Sequence, residues 1–160
     1  MTVICNATPL IAFARINRLD LLRKVAGNLI IPEAVACEIA DYDDRRTGAI
    51  ALSQETWISI ATVQTEQQVR LLLATLDRGE SEVIALALEL RPKLILMDEL
   101  TGRKVAESLD LKVCGSVGLL IKAKQIGEIA AVKPLLDEMK KQGIYYGGRF
   151  IDAVLRTLNE

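Results

Sequence analysis

Short apolar runs alternate with longer stripes of helical spacing along this chain, and that alternation restricts it to an α/β architecture with a mostly parallel sheet. The runs are Thr2 to Cys5, Leu29-Ile30-Ile31, Trp57-Ile58-Ser59-Ile60, Lys93 to Met97 and Lys112-Val113-Cys114. Their β-branched and leucine content suits strands buried on both faces. Between them, helices are expected over Leu10 to Ala14, Leu19 to Val25, after Pro32 through Val35, Glu38 and Ile39, Gln67 to Leu76, Glu80 to Leu90, and Thr101 to Leu109. Three more close the chain, Val117 to Gln125, Val132 to Lys141 and Phe150 to Leu158, separated by Gly127, Gly143 and Gly147-Gly148. The polar stretch Asp41 to Gly48 reads as a loop or lid.

At 160 residues the chain fits one domain, residues 1–160, able to bury roughly 70% of its unfolded surface. No apolar run reaches the roughly 20 residues of a membrane helix, and no basic signal start precedes the first strand. Cys5, Cys37 and Cys114 are odd in number, lack C-x-x-C spacing and sit among apolar residues, so they read as reduced core thiols in a cytoplasmic protein.

Lys plus Arg total 20 against 21 Asp plus Glu, so no global basic field draws in nucleic acid, and any such contact must be local. Lys122, Lys124, Lys133, Lys140 and Lys141 make the last third locally basic, a guide for a polyanion or simply solvating charge. Histidine is absent, which removes imidazole as base, nucleophile or zinc ligand and leaves carboxylates and metal for any catalysis.

Three acids or amides fall where strands end or a buried helix face begins: Asn6, Glu80 and Asp98. In a parallel sheet, ligand chemistry gathers at strand ends. Glu80 shares a helix face with Val83, Ile84 and Ala87, so it points with the core stripe. A first-turn acid favoured by the helix dipole explains its presence but not that direction. Glu82 and Glu89 fall on another face and read as solvated charges. Asp98 ends the most apolar run, beside Glu99, and taken alone is better explained as the N-cap of the following helix. Glu38 reads as an exposed helix charge. Asn6 and Thr8, with Pro9, suit a turn and a helix start, yet Asn6 ends the first strand and Thr8 adds a hydroxyl next to it. Leu135, Leu136 and Met139 form a stripe that reads as core before interface.

These segments together resemble the PIN-like nucleases, within them a small prokaryotic branch of formerly unknown function related to VapC-type toxins. Where the family opens with Ser-Asp-Thr-Ser-Pro-Leu-Ile, the chain has Cys5-Asn6-Ala7-Thr8-Pro9-Leu10-Ile11. Ile30-Ile31-Pro32 with Val35 and Glu38, Arg78 to Ala87, Met97-Asp98-Glu99 with Gly102-Arg103, and Gly115 to Leu120 continue the match over nearly the whole chain.

The resemblance implies a three-layer α/β/α fold with a central parallel sheet of four to five strands. It implies an acidic pocket of Asn6, Glu38, Glu80 and Asp98, with Thr8 and Glu99 in support. Asn6, Glu80 and Asp98 would hold Mg²⁺ or Mn²⁺ for RNA cleavage, since hard divalent ions take oxygen ligands. A homodimer and a small antitoxin partner are the implied assemblies. The first acid of the family is Asn6 here, which brings no negative charge and cannot accept a proton from water, so weak metal binding and low or absent cleavage are expected. A non-catalytic module binding RNA or a protein is the alternative. A phosphoacceptor or nucleotide-binding domain fits less well, because no G-x-x-x-x-G-K loop occurs and Asn6-Ala7 stands where an acid pair would follow the first strand.

Overall fold

The structure, a computed structural model, describes residues 2–42, 45 and 47–160. Part of the Asp41 to Gly48 segment, read above as a loop or lid, therefore lies outside the described residues.

Strand β1 (Val3–Cys5) leads into helices α1 (Ala7–Arg15) and α2 (Leu19–Ala26). Then follow β2 (Leu29–Pro32), α3 (Glu33–Ala40), a 3-10 turn at Leu52–Gln54 and β3 (Ile58–Ala61). Helices α4 (Glu66–Leu72) and α5 (Arg78–Leu90) precede β4 (Leu94–Leu96), α6 (Leu100–Ser108) and β5 (Val113–Cys114). Helices α7 (Ser116–Gln125), α8 (Lys133–Lys141) and α9 (Gly148–Thr157) complete the described elements. Most ends fall within a residue or two of the sequence reading, α1 apart, which begins three residues earlier, directly after Asn6. The helix expected to reach Leu76 stops regular winding at Leu72, and Leu76 remains buried in the turn beyond it.

All pairings are parallel, in the order β3-β2-β1-β4-β5, between helical layers in an α/β/α arrangement. The chain starts at the central strand, builds outward through β2 to β3, then crosses back to place β4 on the other side of β1. Reversal of direction opens a crevice beyond the carboxyl end of the central strand, because the neighbouring connections leave on opposite faces of the sheet. Asn6 and Asp98 follow the two strands at that point.

Apolarity explains the layers. Ile4, Cys5, Ile31, Ile95 and Leu96 are all fully buried. Helix α5 is covered nearly all round, with Gly79 through Ala87 buried, and it packs on β1, β2, α3 and α4. A helix this enclosed accommodates a charge only where the charge is hydrogen-bonded.

Glu82 meets that condition and corrects its reading as solvated, while Glu89, half-buried near the helix end, is hydrogen-bonded at the surface. Glu82 is only 7% exposed and accepts hydrogen bonds from the Ala34 amide (3.1 Å) at the start of α3 and from Arg78 Nε (2.7 Å). Glu89 accepts from the Gln64 and Thr65 amides and the Thr65 hydroxyl, at the start of α4. Position on the helix wheel was read correctly; what occupies the neighbouring space was not.

The cysteines divide. Cys5 is buried as expected, Cys114 is half-buried, and Cys37 is exposed, because it lies on the outer face of α3 opposite Val35 and Ile39. Leu136 and Met139 are core, in line with the sequence reading, while α9 has no buried residue. No helix among the described residues is long and apolar enough to cross a membrane.

Glu160 closes the far end. It accepts from the Val132 amide (3.0 Å) and the Lys133 amide (2.8 Å) at the start of α8, and from Lys124 Nζ (2.8 Å). Partial burial opposes its charge, but these donors hold its carboxyl down to about 2. Two tests follow. Glu82→Ala, which strips a buried cap from α3 and leaves the Ala34 amide unsatisfied, should cost about 1–3 kcal/mol in urea unfolding at neutral pH. The Glu160 carboxyl has a lower pKa folded than unfolded, so its stabilisation is complete above the ordinary carboxylate range and fades as pH falls through about 2. Wild type should therefore be more stable than Glu160→Gln at neutral pH, with the difference in urea midpoint shrinking steadily below about pH 5.

Candidate metal centre at the strand crossover

Asn6 occupies the N-cap position of α1 with extended backbone (φ −78°, ψ 168°), yet its side chain makes no capping bond. Its amide N–H donates to Leu96 O (2.9 Å), extending the β1–β4 pairing by one step and fixing where the side chain emerges. The residue is 4% exposed, and no described residue hydrogen-bonds to its side chain. Among the described residues, the fully buried side-chain polar atoms without a partner are the Ser81 and Tyr146 hydroxyls, so the Asn6 amide keeps a face open to solvent at the crevice.

Its oxygen faces Gly79, in the first turn of α5. A Cβ on Gly79 would lie 3.5 Å from Asn6 Oδ1 and would collide with Glu38 Oε1, so the absence of a side chain here is what lets the Glu38 carboxylate and the Asn6 amide converge. Glu38, on α3, is solvent-exposed on its other side. The exposed reading of the sequence is right, but the carboxylate end reaches back over α5.

Glu80 follows Gly79 and is 8% exposed. Asp77 and Glu80 form a capping box: Asp77 Oδ1 accepts from the Glu80 amide (2.8 Å) and Glu80 Oε2 accepts from the Asp77 amide (3.4 Å). This exchange fixes the Glu80 side chain at the helix start. Its carboxyl carbon lies 3.7 Å from where a Cβ on Gly102 of α6 would be, an ordinary contact distance, whereas that Cβ would collide with Met97 Sδ, so the glycine makes room for Met97 beneath the Glu80 carboxylate. Asp77 was missed in the sequence, although the spacing Asp77-Arg78-Gly79-Glu80 ahead of a buried helix is the capping-box signal.

The pocket is electrostatically unbalanced. Glu38 is raised above its usual range by burial and by the charges of Asp77 and Glu80. Burial, Asp77 and Glu99 likewise raise Glu80, against the opposing pull of its hydrogen bond from the Asp77 amide. Arg78, in the same turn, points away to Glu66 and Glu82. Among the described residues, no ion pair relieves Glu38, Asp77, Glu80 or Glu99.

Asp98 has a different neighbourhood. It was read as a metal ligand or as the cap of the helix next in sequence. That cap position belongs to Glu99, which makes no side-chain bond there. Asp98 instead serves α7: Oδ1 accepts from the Ser116 amide (2.6 Å) and Oδ2 from the fully buried Ser116 hydroxyl (2.7 Å). The reason is the parallel β4–β5 pairing, which carries the start of α7 directly beside the end of β4. Each Asp98 oxygen keeps a second lone pair for another donor or ion. Thr8 is exposed on the first turn of α1.

The structure thus brings Asn6 and Glu38 together at Gly79, sets Glu80 one residue on against Gly102 of α6, and seats Asp98 at the adjoining strand end on α7. Among the described residues, no three His, Cys, Asp or Glu side chains lie close enough to chelate an ion by themselves. Carboxylate and amide oxygens are the donors that a hard cation takes while it keeps several of its waters.

A family model described as a PIN domain matches residues 2–160. The chain belongs to the PIN domain family. No curated protein matches it in sequence. The matched family is one of formerly unknown function, and its membership supports a nuclease-type fold with divalent-metal chemistry in general. In this PIN domain the residue that follows the first strand, Asn6, is an amide that caps nothing.

The unrelieved acids generate a test. Glu38 has a higher pKa folded than unfolded, so the stability it contributes is complete below the ordinary carboxylate range and is lost as pH rises through the raised value. Removing its charge should therefore stabilise the metal-free protein. Glu38→Gln is expected to melt a few degrees above wild type at neutral pH in EDTA, and level with it near pH 4, by differential scanning calorimetry.

Proposed function

We propose that the protein is a divalent-metal-dependent endoribonuclease of toxin type whose activity is weakened by Asn6. The observation that carries this reading is the Asn6 side chain, which receives no hydrogen bond from a described residue and is directed at Glu38 and Gly79, in a pocket where no basic side chain among the described residues offsets the carboxylates. An excess of fixed negative charge at a strand crossover is stabilised by a cation and wasteful without one.

Asn6, Glu38 and Glu80 would hold Mg²⁺ or Mn²⁺, with Asp98 and Glu99 at its edge. The bound ion supplies charge neutralisation on a phosphate and a water of lowered pKa. The protein's own part is positional. The capping box keeps the Glu80 carboxylate in place before any ligand arrives, and Gly79 keeps the path from Glu38 to Asn6 open. Ser116 fixes Asp98, so its charge faces the crevice in one orientation. Asn6 contributes an oxygen but no charge, which lowers the attraction for a dication and leaves one fewer group able to accept a proton.

RNA as substrate, a small antitoxin as regulator and a homodimer as the working form are carried by the family resemblance. A reducing cytoplasmic setting is in keeping with three free thiols, Cys5, Cys37 and Cys114. The second reading, a PIN domain that binds RNA or a protein without cleaving it, is favoured by the same amide and by the lack of a three-acid chelate among the described residues.

Asn6→Asp separates the two. It should lower the melting temperature in EDTA, through one more like charge beside Glu38, and enlarge the upward shift produced by Mn²⁺, since a ligand that binds only the native state stabilises by RT ln(1 + [L]/Kd). Cleavage of single-stranded RNA should rise with it, by about tenfold or more. Glu80→Gln should remove the gain. If Asn6→Asp changes neither the Mn²⁺ shift nor cleavage, the binding-module reading replaces the ribonuclease.

A further inference from the structure

Arg103, on α6, is half-buried, and its guanidinium donates no hydrogen bond and forms no ion pair among the described residues. A carboxylate stands beside it all the same. A Cβ on Gly115 would sit 2.9 Å from Asp98 Oδ1 and 3.0 Å from Arg103 Nη1, so the two charges flank the one spot that a side chain there would fill. They do not close on each other, because the Ser116 amide and hydroxyl hold both Asp98 oxygens (2.6 and 2.7 Å) and fix the plane in which the carboxylate lies.

Gly115 is not required by its backbone. It has φ −95° and ψ 177°, an extended geometry open to any residue, and it occupies the N-cap position of α7, where Ser, Thr, Asp or Asn is ordinarily favoured. What glycine supplies is clearance between the guanidinium and the carboxylate. Helix α6 joins this place to the acidic pocket: Gly102, one residue earlier, lies against the Glu80 carboxyl carbon, so successive residues of α6 meet Glu80 and the Asp98 side. Arg103 also lines a cavity of about 700 Å³ between β5 and α9, through which its fork is reached from outside.

Resting on the ribonuclease reading, we propose that Arg103 is a phosphate-binding residue: its guanidinium takes the non-bridging oxygens of a phosphodiester next to the one that meets the cation at Asn6, Glu38 and Glu80. The planar fork matches two oxygens of one phosphate. The pocket's acids repel a polyanion, and Arg103 is a cation at their edge with no competing partner, whereas Arg78 is engaged with Glu66 and Glu82. Such a contact fixes the register of the strand and reads no base, so it acts alike on every sequence.

The test follows binding of a fluorophore-labelled oligoribonucleotide by anisotropy in EDTA, across a series of salt concentrations. Arg103→Gln should weaken binding about tenfold at low salt. It should also lower the slope of log Kd against log salt by about 0.7, the share of one phosphate contact on a single strand. Arg103→Lys should keep the slope, since the charge remains, and recover part of the affinity. Without RNA, both variants should melt near wild type. An unchanged slope in Arg103→Gln would overturn the phosphate contact, and a lowered melting temperature alongside it would make Arg103 a structural counter-charge for Asp98. The ribonuclease is judged separately, in Asn6→Asp protein with Mn²⁺. Cleavage there, with a salt slope indifferent to Arg103, sinks the contact alone; a slope that follows Arg103 without any cleavage sinks the ribonuclease alone.

Discussion

Carboxylates from one element that cap the helix of another hold this PIN domain together. Glu82 and Glu89 on α5 close the starts of α3 and α4, Asp98 at the end of β4 closes α7, and Glu160 closes α8. The first amides of a helix have no partner within it and carry partial positive charge, so an anion there is both a hydrogen-bond acceptor and an electrostatic match. A cap from within a helix fixes only that helix. A cap from elsewhere also fixes where the helix starts relative to the sheet, which ties three helices to α5 and β4, the elements that border the crevice.

The same device explains how acids sit at low exposure without destabilising the molecule, and which of them remain unspent. Glu82 and Glu89 are consumed by caps. Asp98 is engaged on both oxygens. Glu80 makes a short-range exchange with Asp77, and Glu38 hydrogen-bonds to none of the described residues. The ordering from fully satisfied to unsatisfied runs toward Gly79, where the Asn6 amide, without a hydrogen bond from any described residue, also lies. Asn6 moderates that site: a third carboxylate there would deepen the repulsion that already raises Glu38 and Glu80.

Much of the fold was legible because strands buried on both faces have to be continuous in apolar residues, and Val3–Cys5, Leu29–Pro32 and Leu94–Leu96 stand out for that reason. The inward direction of Glu80 was legible from its spacing with Val83 and Ile84. The role of Glu82 was not, because its partner, the Ala34 amide, is 48 residues away, and a helix wheel shows only which way a side chain points. Asp98 misled in the same manner. A cap is sought in the helix next in sequence, whereas parallel pairing of β4 with β5 brings a later helix closer. Cys37 was placed inside on the strength of apolar neighbours in sequence, although those neighbours face the other side of α3.

The strand order has a consequence for synthesis. β1 leaves the ribosome first but occupies the middle of the sheet, so one of its edges stays open until Leu94–Leu96 has been made, and Asp98 finds Ser116 only later still. Long-range pairing of this kind delays assembly until most of the chain is available. A nascent chain that has not yet made Leu94–Leu96 therefore lacks the crevice altogether, and the acids that meet there in the folded domain stay apart until then.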